Sequence, residues 1–96
     1  MKTTTVFRNT LTNGIVVSTV RYRCDGGTVF ETAIIVGGVV SDGFRCGNRG
    51  AAEACHDEVC MVAGGQRAFD GQSRRQEKLI RMYADCAERA AARVAA

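Results

Sequence analysis

Apolar and polar residues alternate with a period of two through the first half of the chain and with a period near 3.6 through the second. Val6–Thr12 and Ile15–Cys24 are rich in Val, Ile, Thr and Tyr, which suit a pleated, half-buried surface. Asn13-Gly14 lies between them and predicts a hairpin with a type I′ turn, because both central residues of that turn need positive φ. Asp25-Gly26-Gly27 marks the next turn and Thr28–Val36 the third strand. Gly37-Gly38 then leads to Val39-Val40, and Ser41-Asp42-Gly43 to Phe44-Arg45-Cys46. Turns recurring about every 12 residues predict an antiparallel meander.

The alternation also assigns faces. In the second strand Val16, Ser18, Val20, Tyr22 and Cys24 share one side, and Thr19, Arg21 and Arg23 share the other. In the third strand Phe30, Thr32, Ile34 and Val36 line up while Glu31 points away. The more apolar side of each is expected to meet the core. Arg21, Arg23 and Glu31, with Arg45, then form an exposed strand face, with Glu31 pairing across strands to Arg21 or Arg23. The first strand carries a weaker pattern and reads as a loose edge.

Past residue 50 the period changes. Ala51, Ala52, Cys55, Val59, Val62 and Ala63 fall within about a third of a helix circumference, which predicts a sheet-packing helix over Ala51–Ala63, ended by Gly64-Gly65. Residues 66–72 read as a loop. Ser73 with Gln76 matches a Ser-x-x-Gln capping box, opening a long helix with Leu79, Tyr83, Cys86, Ala90 and Val94 on one stripe.

Composition narrows the class. Ninety-six residues, 46% apolar and 24% charged, suit one folded domain. No apolar run approaches the roughly 20 residues that span a bilayer, and the polar, Thr-rich start gives no expectation of a signal peptide. The five cysteines, Cys24, Cys46, Cys55, Cys60 and Cys86, are odd in number and read as reduced thiols in a cytoplasm. None of their spacings is C-x2-C. A set of Cys24, Cys46, His56 and Cys60 would need the strands to close on the helix, so no metal and no cofactor is expected. The pairs Gly26-Gly27, Gly37-Gly38 and Gly64-Gly65 lack phosphate-cradling spacing and read as turns or helix ends.

Two constellations stand out. His56 and Cys60 are neighbours at i, i+4, with Glu53 beside them. That placement, at the edge of a polar helix face, fits a surface patch better than a nucleophile with its base, so no enzyme is expected. The second is charge. The formal net charge is +3, and residues 1–72 hold seven charges of each sign. All of the excess therefore sits in the last helix, where Arg74, Arg75, Lys78, Arg81, Arg89 and Arg93 oppose Glu77, Asp85 and Glu88. Guanidinium groups pair in a bidentate way with carboxylate and phosphate, so this flank is a candidate docking face. No aromatic residues interleave it, which disfavours single-stranded nucleic acid.

Val17-Ser18-Thr19-Val20, Phe30-Glu31-Thr32 and Ala54-Cys55-His56-Asp57 together resemble a pattern in small phage and prophage accessory proteins. There a Ser-Thr-Val strand precedes an aromatic-Glu-Thr strand and an Ala-x-x-His helix. The resemblance covers residues 15–63, and the chain departs from it in having Phe30 where Trp is typical and in adding the basic C-terminal helix. It implies a ββα-type accessory protein and carries no active site. In size and lack of catalytic motifs the chain is also similar to anti-CRISPR proteins.

The expectation is thus a cytoplasmic α+β protein, one domain over residues 1–96. Its antiparallel β-meander of three to four strands, over about 4–46, packs against two C-terminal helices at about 51–63 and 73–95. It is expected to inhibit or modulate a host protein or ribonucleoprotein complex by steric blocking, most concretely as an anti-CRISPR protein. Contacts would come from Arg74, Arg75, Lys78, Arg81, Arg89 and Arg93 on the helix, and from Arg21, Arg23 and Glu31 on the sheet. The alternative is a small nucleic-acid-binding regulator using the same helix. No membrane partner is expected, and the loose edge strand leaves pairing with a second copy open.

Overall fold

The computed structural model describes residues 2–65 and 74–95. The strands β1 (Thr4–Thr10), β2 (Val16–Cys24) and β3 (Gly27–Val36) follow one another as antiparallel neighbours. Two short strands, β4 (Val39–Val40) and β5 (Phe44–Cys46), both pair with β3. The helices α1 (Arg49–Ala63) and α2 (Arg74–Ala95) pack on one face of this sheet. The result is an α+β fold with the expected meander, extended by a fifth strand.

Turn chemistry sets the register. Asp25 and Gly26 alone join β2 to β3, with Cys24 opposite Gly27. Their φ values of 52° and 78° are those of a type I′ turn. The type I′ turn expected at Asn13-Gly14 is absent: only Gly14 has positive φ there, and the loop is longer, with Thr10 opposite Val16. Asn13 acts through its side chain instead. Its Oδ1 accepts from the Ile15 amide at 3.1 Å and its Nδ2 donates to the Ala63 carbonyl at 2.8 Å, tying the hairpin to the end of α1.

The outer edge of β3 is closed in two pieces. β5 pairs along Phe30–Thr32 and β4 along Ile35–Val36. Between them Ser41 completes the ladder: its amide donates to the Ile34 carbonyl at 2.9 Å and its hydroxyl accepts from the Ile34 amide at 3.0 Å.

The structure reverses the face assigned to β2. Val17 and Thr19 are fully buried and pair in register with Ile34 and Thr32, so they meet the helices. Val16, Ser18, Val20, Tyr22 and Cys24 face away. Counting apolar side chains misleads because the covered face contains two threonines, whose hydroxyls are satisfied inside the core. Glu31 is correspondingly on the far side from Arg21 and Arg23. It pairs with Arg45, directly opposite on β5, through a 3.0 Å ion pair.

Asn48 starts α1 two residues earlier than the expected Ala51, since its Oδ1 accepts from the Ala51 amide at 2.8 Å. Ala52, Cys55, His56, Val59 and Val62 are buried along the helix, whereas Ala51 is exposed. From α2 come Gln76, Leu79, Met82 and Cys86. Tyr83 and Val94, placed on the packing stripe by periodicity, are instead 46% and 88% exposed, because the buried stripe is rotated toward Gln76 and Met82. Ile15, Val17, Ile34, Phe44, Cys55, Val59, Val62, Leu79 and Met82 form one core, and a large aliphatic side chain buried there contributes about 1.5–3 kcal/mol. The expected 66–72 loop and the Ser73 cap lie outside the described residues.

Candidate interaction surface

His56 is the first residue to change role. It is 3% exposed and lies inside the core rather than at the edge of a polar face. Its Nε2 lies 2.7 Å from Asn9 Oδ1 and its Nδ1 lies 2.8 Å from Thr19 Oγ1, which is in turn 2.6 Å from Thr32 Oγ1. A carboxamide oxygen only accepts, so Nε2 carries the proton. Nδ1 then accepts from the Thr19 hydroxyl, and Thr19 accepts from Thr32. Burial holds the imidazole below its ordinary pKa, partly offset by Asp57, which fits this neutral tautomer. The Phe7 ring packs 5.5 Å away, turned inward by a register shift between Thr5 and Phe7, and the Arg49 guanidinium lies 5.1 Å above Phe7.

With both nitrogens engaged, His56 cannot serve as base for Cys60. Burial and the nearby Asp57 push the Cys60 thiol up, the reverse of an activated nucleophile. Glu53 is exposed and makes no ion pair among the described residues. Cys24 and Cys46 end separate strands. No group of three or more His, Cys, Asp or Glu among the described residues is arranged to hold a metal ion. Cys55 and Cys86 are fully buried, with thiols raised first by burial.

The basic flank of α2 is largely occupied by its own fold. Arg75 pairs with Glu58 of α1 at 2.6 Å. Lys78 donates to the Gly43 carbonyl at 2.7 Å and lies 5.0 Å from the centre of the Phe44 ring. Arg89 pairs with Asp85 at 2.9 Å and donates to the Val40 carbonyl at 3.2 Å. Arg93 reaches the Gly38 carbonyl at 3.5 Å. Only Arg74 and Arg81 of the six are exposed without a hydrogen bond or ion pair among the described residues. Much of the flank is therefore a set of ties between α2 and the loops around β4.

The sheet cations are differently placed. Arg21 and Arg23 lie two residues apart on the helix side of β2, at the end of the sheet beyond the start of α1. There, with Lys2, Thr4, Tyr22, Thr28 and Phe30, they line a shallow concavity of about 750 Å³. Lys2, Arg21 and Arg23 bring three cations to it and Thr4 and Thr28 two hydroxyls, and no carboxylate of the described residues lines it. Among the described residues the Arg21 side chain makes no hydrogen bond, and that of Arg23 reaches only the Gly26 carbonyl at 3.3 Å. Glu31 and Arg45 do not belong to this surface, since they lie on the opposite face. Lys2, Thr4 and Thr28 went unnoticed in the sequence. The register supplies the missing signal, because Thr28 is opposite Arg23 and Thr4 opposite Arg21.

Compared with family models, curated proteins and solved structures, the chain matches none. No helix among the described residues is long and apolar enough to cross a membrane.

Proposed function

We propose that this chain works by binding, as a phage-type protein that blocks an acidic surface of a host macromolecular complex, with inhibition of a CRISPR effector its most specific form. The observation that carries the binding reading is the concavity at the end of the sheet. Lys2, Arg21 and Arg23 converge on it with no carboxylate of the described residues beside them, at the end of the β2–β3 hairpin. Uncompensated like charges at one site cost stability in the free protein and are repaid by an anionic partner. The resemblance of residues 15–63 to phage accessory proteins supports a host target. The mechanism is occupancy: a preorganised face covers a site that the complex needs, with no chemical step.

Affinity capture from a bacterial lysate, using the native chain and an Arg21→Glu/Arg23→Glu variant, tests this reading. Both side chains are exposed, so the variant should keep the native circular dichroism and melt no lower than the native chain while losing the captured complex. Equal recovery by both proteins would move the binding site elsewhere. Arg74 and Arg81, the two exposed cations of α2 without a partner among the described residues, favour a second reading, direct nucleic-acid binding. Nuclease treatment of the lysate separates the two, because capture of a nucleic acid disappears with it and weakens steeply with salt, at a slope of about −0.9 per phosphate contacted.

A further inference from the structure

The two edges of the sheet are finished differently. At the β4 edge α2 takes up the exposed carbonyls: those of Gly38, Val40 and Gly43 accept from Arg93, Arg89 and Lys78. At the other edge β1 pairs only with β2. The Leu11 amide donates to the Ile15 carbonyl at 2.8 Å, so the alternation of an antiparallel ladder turns the amides and carbonyls of Arg8 and Thr10 outward. Among the described residues none of these four groups has a hydrogen bond. Both residues are exposed and lie past the register shift between Thr5 and Phe7, where the strand runs regularly.

Charge along this edge favours an anion. Residues 2–10 contain Lys2 and Arg8 and no acidic residue. Arg49 of α1 lies over the Phe7 ring, and Arg21 stands behind Thr4, directly opposite it on β2. None of these four cations has an ion pair among the described residues. The carboxylates lie apart: Asp25 is in the β2–β3 turn against the Cys24 thiol, and Glu53 and Asp57 flank His56, which meets the strand at Asn9. We infer that the free edge of β1 takes an extended acidic segment of the partner as an added strand. The inference rests on the binding reading above and deepens it. Main-chain hydrogen bonds to Arg8 and Thr10 hold the segment, and its acidic side chains meet Lys2, Arg21 and Arg49. A nucleic acid offers phosphates to the cations but no row of amides and carbonyls to Arg8 and Thr10. A second copy, paired antiparallel about Phe7 at the middle of β1, would set Arg8 diagonally beside its own counterpart, like charge against like.

Amide hydrogen exchange followed by NMR on the native chain tests this. The probe is a synthetic peptide alternating glutamate with threonine, long enough to span β1. With the peptide bound, the Arg8 and Thr10 amides should exchange about tenfold more slowly, while the Asn9 amide, already within the ladder to Val17, should change less. The same peptide with glutamine in place of glutamate should protect them less. Thr10→Pro removes an outward amide and no bond of the β1–β2 ladder, so it should keep the native circular dichroism and bind the glutamate peptide more weakly. Unprotected Arg8 and Thr10 amides at millimolar peptide overturn the inference, as does equal protection by the glutamine peptide. Amides already protected in a chain that sediments as a dimer overturn it too, because a second copy then holds the edge. Any of these results, with capture still dependent on Arg21 and Arg23, leaves the binding reading standing, so the two fail separately.

Discussion

His56 sits where a hydrophobic residue would be the simpler choice, and the polar chain Thr32–Thr19–His56–Asn9 explains how it is tolerated. Each hydroxyl and ring nitrogen has a partner, and among the described residues no buried side-chain nitrogen or oxygen lacks one. The cost appears with pH. Above the unfolded imidazole pKa of about 6.5, both states hold His56 neutral and it contributes no slope. Below it the unfolded chain takes a proton that the buried ring resists, so stability falls as pH drops toward the depressed folded value. Urea midpoints measured at pH 7.5 and pH 5.5 should therefore decline on acidification. In His56→Gln, which removes the only histidine, that decline should flatten across the same interval. The residue was visible in the sequence but its role was not. Periodicity put it at the margin of a polar face, and only pairing with Thr19, 37 positions away, makes its burial tolerable.

At the scale of elements, local chemistry was the readable part. Gly-containing turns and the change of period at residue 50 placed the strand segments and both helices, though as a meander of three to four strands where the described residues form five, because those signals act within a few residues. Boundaries moved where a side chain intervened: Asn48 began α1 early, and Asn13 replaced a two-residue turn with a longer loop. The cap gives a direct expectation. Asn48→Ala should lower stability by about 1 kcal/mol, near 4–8 °C in melting temperature for a domain of this size, with the fold otherwise retained. A second concerns how α2 docks. Gly37 has φ of +56°, and a Cβ there would lie 2.9 Å from Ala90 Cβ, whereas a Cβ at Gly14, with φ of +88°, meets nothing within 4 Å. Gly14→Ala should thus show only the backbone penalty, while Gly37→Ala should lose more in urea denaturation because α2 must also shift.

For the molecule as a whole, charge and faces rearranged what composition suggested. The net +3 belongs numerically to the last helix, yet four of its six cations bind within the chain, and the concentrated unpaired charge lies at the end of the sheet. That distinction was out of reach of the sequence, since Arg75 meets Glu58, and Lys78 meets Gly43, across separations that no local pattern encodes. The sheet face was misassigned for the same reason: two threonines inside and six aliphatics outside invert the usual rule. The order of elements adds a consequence for synthesis. Among the described residues every strand is finished by Cys46 and both covering helices begin after it. Synthesis runs from the N-terminus, and a domain folds as a unit once enough of it has been made. The β-hairpins of this protein therefore emerge before anything shields them, with Val17 and Ile34 bare on one side and Val20 and Ile35 on the other. Until α1 and α2 follow, the strand segments carry unshielded aliphatic side chains on both faces, the kind of exposure that makes incomplete chains prone to aggregate.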